Sequence, residues 1–123
     1  MDAFTDLEAK PAQRREGEHG GSGSISFRRM MDESQFASGL DFVDFTIVPP
    51  GSTIGKHFHH GSEELYFVVD GAPLINVNGR ERRVGPGSLS VVRSGEWHSL
   101  TNDTLSEVSI LVVQARVSEP NGR

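Results

Sequence analysis

Cysteine is absent from the 123 residues of this chain. Without thiols, the chain can form neither a disulfide framework nor a zinc site built from thiolates. Long apolar runs are also missing, because no stretch approaches the length of a membrane span and the N-terminus is too charged for a signal segment. We therefore expect a soluble, cytoplasmic protein with no membrane partner.

Positive charge is scarce as well. The chain carries 12 Lys and Arg against 17 Asp and Glu, which gives a formal net charge of -5. Because there is no basic surplus to release counterions from a phosphate backbone, we expect no nucleic-acid partner. Two basic pairs, Arg28-Arg29 and Arg82-Arg83, are interpreted as solvated faces of strands rather than as binding patches.

Composition divides the chain into three parts and predicts a single domain. Residues 1–24 are polar and Gly-rich, and such a segment buries too little apolar area to offset its ordering entropy. We expect it to be flexible or loosely docked, with His19 exposed to solvent and only a small chance that this residue belongs to a lid. Residues 25–117 form the predicted domain, and residues 118–123 form a frayed tail.

The pattern between residues 25 and 117 is one of strands and turns. Runs of β-forming residues recur about every ten positions and are separated by Gly, Pro and Asn, which predicts an all-β sandwich or barrel. Asn78-Gly79 is a strong hairpin signal. The single helical candidate is the short segment Met30–Phe36. Strands are predicted at 41–48, 53–59, 64–70, 74–77, 80–84, 88–92, 97–102 and 108–116.

Four residues have the spacing of a metal site. His57 and His59 are two positions apart, so on one strand both side chains point to the same face. Glu64 follows, and a lone His98 lies further along the chain. Imidazole and carboxylate groups are ligands of divalent metals, so these residues could hold one ion.

Two longer motifs enclose these residues. Residues 51–71 read G-x5-H-x-H-x4-E-x6-G, and residues 87–102 read G-x5-R-x-G-x2-H-x3-N. In order and spacing they resemble the two signature motifs of the cupin superfamily, and the chain is similar to its small single-domain members. One position departs from the motifs, because Arg93 stands where the family usually has Pro. The change relaxes a turn but removes no ligand.

The resemblance implies a double-stranded β-helix, the jelly-roll or cupin barrel, over residues 25–117. It also implies that His57, His59, Glu64 and His98 hold one divalent ion, which would be iron, manganese, nickel, cobalt or zinc. Glu63 competes for the carboxylate position, but only Glu64 has the family's spacing to the following Gly. Strand alternation agrees, since it turns Glu64, Tyr66 and Val68 towards the cavity and Leu65, Phe67 and Val69 towards another layer.

By resemblance, the expected function is that of a metal-dependent enzyme of dioxygenase, decarboxylase, lyase or isomerase type. Its substrate would be a small oxygenated or carboxylated metabolite. The alternative is a small-molecule-binding or sensor module without catalysis. Small cupins usually pair through an edge strand or a swapped terminal strand, so we expect a homodimer.

Five further residues have open roles at this stage. Tyr66 is the candidate catalytic side chain, with a purely structural role as its equal competitor. His60 follows a ligand, so strand alternation turns it away from the metal. Trp97 and Phe58, each next to a ligand, are interpreted as packing residues. Arg93 is either a surface turn residue or an anion contact.

Overall fold

The protein is an all-β jelly roll whose two sheets face each other. This computed structural model describes residues 3–118, and no α-helix occurs among them. All strand pairs are antiparallel, as expected for a chain that alternates short strands and tight turns. The ten strands are β1 (Gln13–Glu16), β2 (Ser24–Asp32), β3 (Leu40–Val48), β4 (Thr53–Phe58), β5 (Ser62–Asp70), β6 (Leu74–Val77), β7 (Arg80–Arg83), β8 (Leu89–Val92), β9 (Trp97–Thr101) and β10 (Val108–Arg116).

Six strands form the larger sheet in the order β1-β2-β3-β10-β5-β8, and four form the smaller sheet in the order β4-β9-β6-β7. The predicted strands therefore agree with β3 to β10. The Asn78-Gly79 turn joins β6 to β7 with φ angles of 56° and 91°. Positive φ at both central residues is what a tight hairpin of matching twist requires, so this prediction is confirmed.

Apolar side chains from both sheets meet between the layers. The alternation of β-strands places every second residue inside, and β10 shows it clearly, with Val108, Ile110 and Val112 buried. The same alternation buries Glu64, Tyr66 and Val68 on β5 and exposes Glu63. The buried cluster comprises Ile25, Val48, Ile54, Tyr66, Val68, Ile75, Leu100, Val108, Ile110 and Val112.

The outer face of the larger sheet is less covered than expected. Phe67 and Val69 were predicted to pack against another layer, but their exposed fractions are 38% and 41%. They lie on the face of β5 that points away from the smaller sheet, and no layer of the described chain covers it.

The prediction of a helix at Met30–Phe36 is wrong. β2 continues to Asp32, and Met31 pairs with Val43 of β3. Only Glu33–Gln35 form a single 3₁₀ turn, which Asp32 caps by accepting a hydrogen bond from the backbone of Ser34 at 2.9 Å. Pairing with β3 satisfies the backbone more fully than an isolated two-turn helix could, and it overrides the weak local preference.

The N-terminal segment reaches the barrel. β1 pairs with β2, and the carbonyl of Ser22 accepts a hydrogen bond from the backbone of Thr53 at 2.9 Å. A 3₁₀ turn at Glu18–Gly20 packs against β4 so closely that a Cβ at Gly55 would clash with the carbonyl of His19. The flexibility of residues 1–24 and the division at residue 24 stay predictions, as does the tail, of which only Ser118 is described.

Among the described residues, none of the helical turns has the length and apolarity needed to cross a membrane.

Candidate metal centre

Four predicted ligands come together inside the barrel. His57 lies on β4, His59 just after it, Glu64 on β5 and His98 on β9, so the smaller sheet supplies three side chains and the larger sheet one. One donor atom from each lies within 4.8 Å of every other. His59, Glu64 and His98 are buried, and His57 is nearly so.

His98 lies at the middle of this group. Its Nε2 is 3.0 Å from the Nε2 of His57, 3.2 Å from the Nε2 of His59 and 3.1 Å from the Oε1 of Glu64. Ligand atoms about 2.1 Å from one ion lie about 3.0 Å apart when their bonds meet at right angles. The separations therefore fit four ligands that share one ion.

Proton placement also fits a metal. The Nδ1 of His57 is 2.7 Å from the carbonyl oxygen of Gly55. A carbonyl oxygen accepts only, so Nδ1 carries a hydrogen, and Nε2 is the nitrogen that could offer a lone pair to an ion in the group. The Nδ1 of His59 lies 3.2 Å from the hydroxyl of Ser62. Such partners on the outer nitrogen orient metal-binding histidines.

Tyr66 fixes the ring of His98 by packing. The two rings stack at a centroid distance of 4.3 Å and an interplanar angle of 19°. The Nδ1 of His98 has no hydrogen-bond partner among the residues described, so stacking takes the place of the usual hydrogen bond. Burial raises the pKa of Tyr66 well above 10, and the nearby Glu64 adds to this effect, so the phenol stays protonated.

The charges of the group suit a cation. Burial by itself would raise the pKa of Glu64, but the three histidine side chains that face its carboxylate, with the Nε2 of His98 nearest at 3.1 Å, outweigh this effect and hold that pKa well below 4.5. Burial lowers the pKa of His98 below 6.5, although Glu64 opposes this shift. Near neutral pH, the group therefore combines an ionised carboxylate with a neutral imidazole at its centre.

These shifts predict how the stability of metal-free protein depends on pH. The folded pKa values of His98 and Glu64 both lie below their unfolded values of 6.5 and 4.5, so acid protonates the unfolded chain first. We expect the free energy of unfolding to fall as pH drops below 6.5, and to fall further below 4.5. Urea unfolding in EDTA at several pH values measures this. Stability that stays constant or increases between pH 7 and pH 4 would contradict it.

His19 contacts the group from the N-terminal segment. Its ring stacks on that of His57 at a centroid distance of 3.7 Å and an angle of 11°. The side chain is exposed on its other face, as predicted, but the contact with a candidate ligand was not foreseen. Its φ of 50° is a left-handed conformation that non-Gly residues rarely adopt. Nothing in a Gly-rich, patternless segment signals such a contact.

We expect this stacking to stabilise the orientation of His57. His19→Ala should weaken metal binding about tenfold, the range found when a group that orients a ligand is removed. His19→Phe keeps a flat ring and should bind metal as the wild type does. Competition with a fluorescent chelator measures both affinities, and equal affinities for the Ala variant and the wild type would show that the contact is incidental.

A cavity of about 270 Å³ lies next to the group, and three of its members, His57, His59 and Glu64, line it. Aromatic and aliphatic side chains, among them Phe27 and Phe42, form much of its wall. Arg29 and Asp44 face each other across β2 and β3 and also line it. The interpretation of Arg28-Arg29 as a solvated strand face did not place Arg29 at the cavity, although its side chain is 40% exposed there. The alternation that buries Ile25 and Phe27 could have revealed it, since Arg29 follows them at the same spacing.

The remaining candidates lie outside the group. His60 is exposed, and its ring lies parallel to that of Phe58 at a centroid distance of 6.2 Å. Glu63 is exposed on β5. Arg93 is on an exposed turn, where its guanidinium lies 3.8 Å from Glu96, and it does not line the cavity. Phe58, interpreted from the sequence as a packing residue, lines the cavity and is 53% exposed.

Fold and site together define a small β-barrel protein with a buried group of three imidazoles and one carboxylate that could hold a metal ion. The family model described as the Cupin domain matches residues 44–114, which include all four side chains. The chain belongs to this cupin family, and the resemblance seen in the two motifs is confirmed.

The chain is also similar in sequence or in fold to several other proteins. An oxalate-binding protein of Thermotoga maritima is 27% identical over 94 residues, which are 76% of this chain and 78% of the relative. A crystal structure of a predicted oxalate decarboxylase from Thermotoga maritima superposes with a TM-score of 0.89 at 23% identity, covering 93% of this chain and 99% of that one. The structure of KdgF from a Halomonas species gives a TM-score of 0.76 at 16% identity and covers 98% of both chains.

Proposed function

We propose that this protein binds one divalent metal ion through His57, His59, Glu64 and His98, and uses it to bind a small carboxylate. The observation that carries this proposal is the convergence of the four donor atoms within 4.8 Å at a cavity of about 270 Å³. A bound ion would supply Lewis acidity and open positions for oxygen atoms of the ligand. The name of the oxalate-binding relative supports a carboxylate as that ligand.

Catalysis is the leading role for this site. Iron, manganese, nickel or cobalt would leave positions for a chelating ligand, and zinc would suit four protein ligands. The reaction would be of dioxygenase, decarboxylase, lyase or isomerase type. Tyr66 is the proposed catalytic side chain, because its buried, protonated phenol lines the cavity beside Glu64 and could donate a hydrogen bond to a bound oxygen.

A binding or sensor module is the second candidate. The raised pKa of Tyr66 makes its phenol a poor proton donor, and the relative with the oxalate name is a binding protein. Both facts favour retention of the ligand over its conversion.

One experiment separates the two roles. Protein purified without added metal or chelator is analysed for its metal, then incubated with oxalate and with small 2-oxo and 2-hydroxy acids, in air and without oxygen. Product formation that Tyr66→Phe reduces, with the metal retained, supports catalysis by the phenol. Tight binding without product supports the module. Protein that binds neither metal nor any of these acids contradicts the proposal in both forms.

The outer face of the larger sheet is the surface proposed for the homodimer. Cross-strand pairing aligns Phe45, Leu111, Phe67 and Leu89 in one apolar row over β3, β10, β5 and β8. Leu89 is 63% exposed. Contiguous apolar patches of this kind mark interaction sites, and an apolar row suits a two-fold contact with a second copy of itself.

Light scattering tests this assembly. We expect twice the chain mass at micromolar concentration and the mass of one chain for Phe67→Lys, which would bury a charge in the contact. Leu105→Lys is the control, since Leu105 is 98% exposed on a loop away from the row. A single-chain mass for the wild type would contradict the homodimer, and a dimeric Phe67→Lys variant would exclude this surface. The cytoplasmic location remains a prediction.

A further inference from the structure

An ion pair lies inside the cavity, away from the four candidate ligands. The Nε of Arg29 donates to one carboxylate oxygen of Asp44 at 2.7 Å, and its Nη2 donates to the other at 3.0 Å. The guanidinium carbon lies 4.3 Å from the ring centroid of Phe42 and 5.9 Å from that of Phe27. All four side chains line the cavity.

Stability alone does not account for this pair. The side chain of Asp44 is only 9% exposed and that of Arg29 is 40% exposed, and removing the carboxylate from water costs about as much as the attraction returns. The chain has a comparable forked pair at the surface, where Arg83 bonds both oxygens of Asp103 at 2.5 and 2.9 Å. That pair joins β7 to the loop after β9, whereas the Arg29 pair joins neighbouring strands that already share backbone hydrogen bonds.

One edge of the Arg29 guanidinium is left for a ligand. Asp44 occupies Nε and Nη2, and Nη1 has no hydrogen-bond partner among residues 3–118. The carboxylate and the two phenylalanine rings hold the group in one orientation, so little side-chain entropy remains to be lost when an acceptor binds.

Charge limits what the cavity can hold. Arg29 and Asp44 neutralise each other, as do Arg15 and Glu18, which lie 3.2 Å apart at the cavity wall. With a divalent ion in place, Glu64 cancels half of the ion's charge and about one positive charge remains. A ligand with a single negative charge balances it, and a second carboxylate would not be compensated.

The volume of the cavity and the chemistry of its wall indicate a ligand larger than a chelating group alone. A cavity of about 270 Å³ corresponds to about nine water molecules. A chelating group alone would leave much of this space empty. Phe27, Phe42 and Val112 line it with apolar surface that favours a flat apolar body.

We propose that the ligand is a monoanionic 2-hydroxy or 2-oxo acid with a flat apolar body. This proposal rests on the proposed metal site. The acid end of the ligand chelates the ion, and an uncharged hydrogen-bond acceptor at its far end binds the Nη1 of Arg29. Arg29 is thus a specificity residue for the far end of the ligand, and Asp44 is its positioning residue.

Three probes test this assignment on manganese-loaded protein by calorimetry. Glycolate has only the chelating end, 4-methylmandelate adds a flat body, and 4-hydroxymandelate carries a hydroxyl where the second probe has a methyl group. We expect each addition to strengthen binding. 4-Hydroxymandelate should bind about tenfold more tightly than 4-methylmandelate, because a hydrogen bond to a charged donor contributes about that much.

The variants isolate Arg29. The paired change Arg29→Met with Asp44→Asn removes both charges, so no unpaired carboxylate stays buried, and it should abolish the preference for the hydroxyl while glycolate still binds. Arg29→Lys keeps the charge without the fork and should reduce the preference. The matched control, Arg83→Met with Asp103→Asn, should change nothing. Circular dichroism and a thermal melt establish that each variant is folded.

Other outcomes overturn the inference. Equal affinity of the wild type for the two mandelates, or a preference that survives the paired change, contradicts the role of Arg29. Tight glycolate binding with no gain from the ring contradicts the flat body and leaves the metal site standing. Protein that retains neither manganese nor glycolate contradicts the proposed function, and the inference with it.

Discussion

Glu64→Gln is expected to reduce the metal content from about one ion per chain to a small fraction of it. Glu64 supplies the only negative charge among the four candidate ligands, and its side chain is 7% exposed. The amide has nearly the same shape but no charge, so a divalent ion in the buried site would lose its only anionic partner. Affinity should fall by at least about a hundredfold, since even groups that merely orient a ligand contribute up to that much.

Elemental analysis of the purified protein measures this effect. His60→Ala is the matched control, because His60 lies next to a candidate ligand in sequence but is exposed and outside the group. It should retain a full equivalent of metal. Glu64→Gln protein with an unchanged circular dichroism spectrum and a full equivalent of metal would remove Glu64 from the ligand set.

Asn102→Ala is expected to lower the free energy of unfolding by about 3 kcal/mol. The side chain is fully buried and makes four hydrogen bonds. Its amide nitrogen donates to the carbonyls of Val48 and Ser106, and its oxygen accepts from the backbone and hydroxyl of Thr104. Truncation would leave buried polar groups without partners, each at a cost of about 1–3 kcal/mol.

Urea unfolding compares this variant with Asn76→Ala. Asn76 accepts one exposed hydrogen bond, from the backbone of Gly79 at 2.8 Å, and its loss should cost no more than about 1 kcal/mol. Similar losses for the two variants would show that the buried network around Asn102 contributes little. In either case Asn102 belongs to the framework of a turn and does not line the cavity.

The sequence predicted the barrel because its strands are short, alternating and clearly separated. On β5, the parity of Glu64 and Glu63 correctly assigned the buried and exposed carboxylates. The spacing of His57 and His59 correctly placed both side chains in the group, because His57 lies near the end of β4 and His59 directly follows that strand, where a period of two still holds. Local rules were sufficient wherever the strand pattern itself determined the direction of a side chain.

Those rules failed where tertiary pairing decided the outcome. The segment from Met30 has a weak helical pattern, yet it extends β2 because Met31 and Asp32 find partners on β3 beyond a register shift at Met30. The sequence predicts a surface position for Arg29, because a pair of adjacent arginines is usually exposed to solvent. Its place at the cavity wall involves Asp44, which lies fifteen residues away and faces it from the neighbouring strand.

The sequence by itself determined the all-β barrel and the four side chains of the candidate metal site, because both depend on alternation and on spacing along the chain. Only the tertiary structure decided what surrounds that site. The stacking of His19 on His57 and the Arg29–Asp44 pair join strands and turns that are distant in sequence. Such contacts arise from packing between elements. Alternation along a strand gives the face that a side chain such as Arg29 takes, but not its partner on another element.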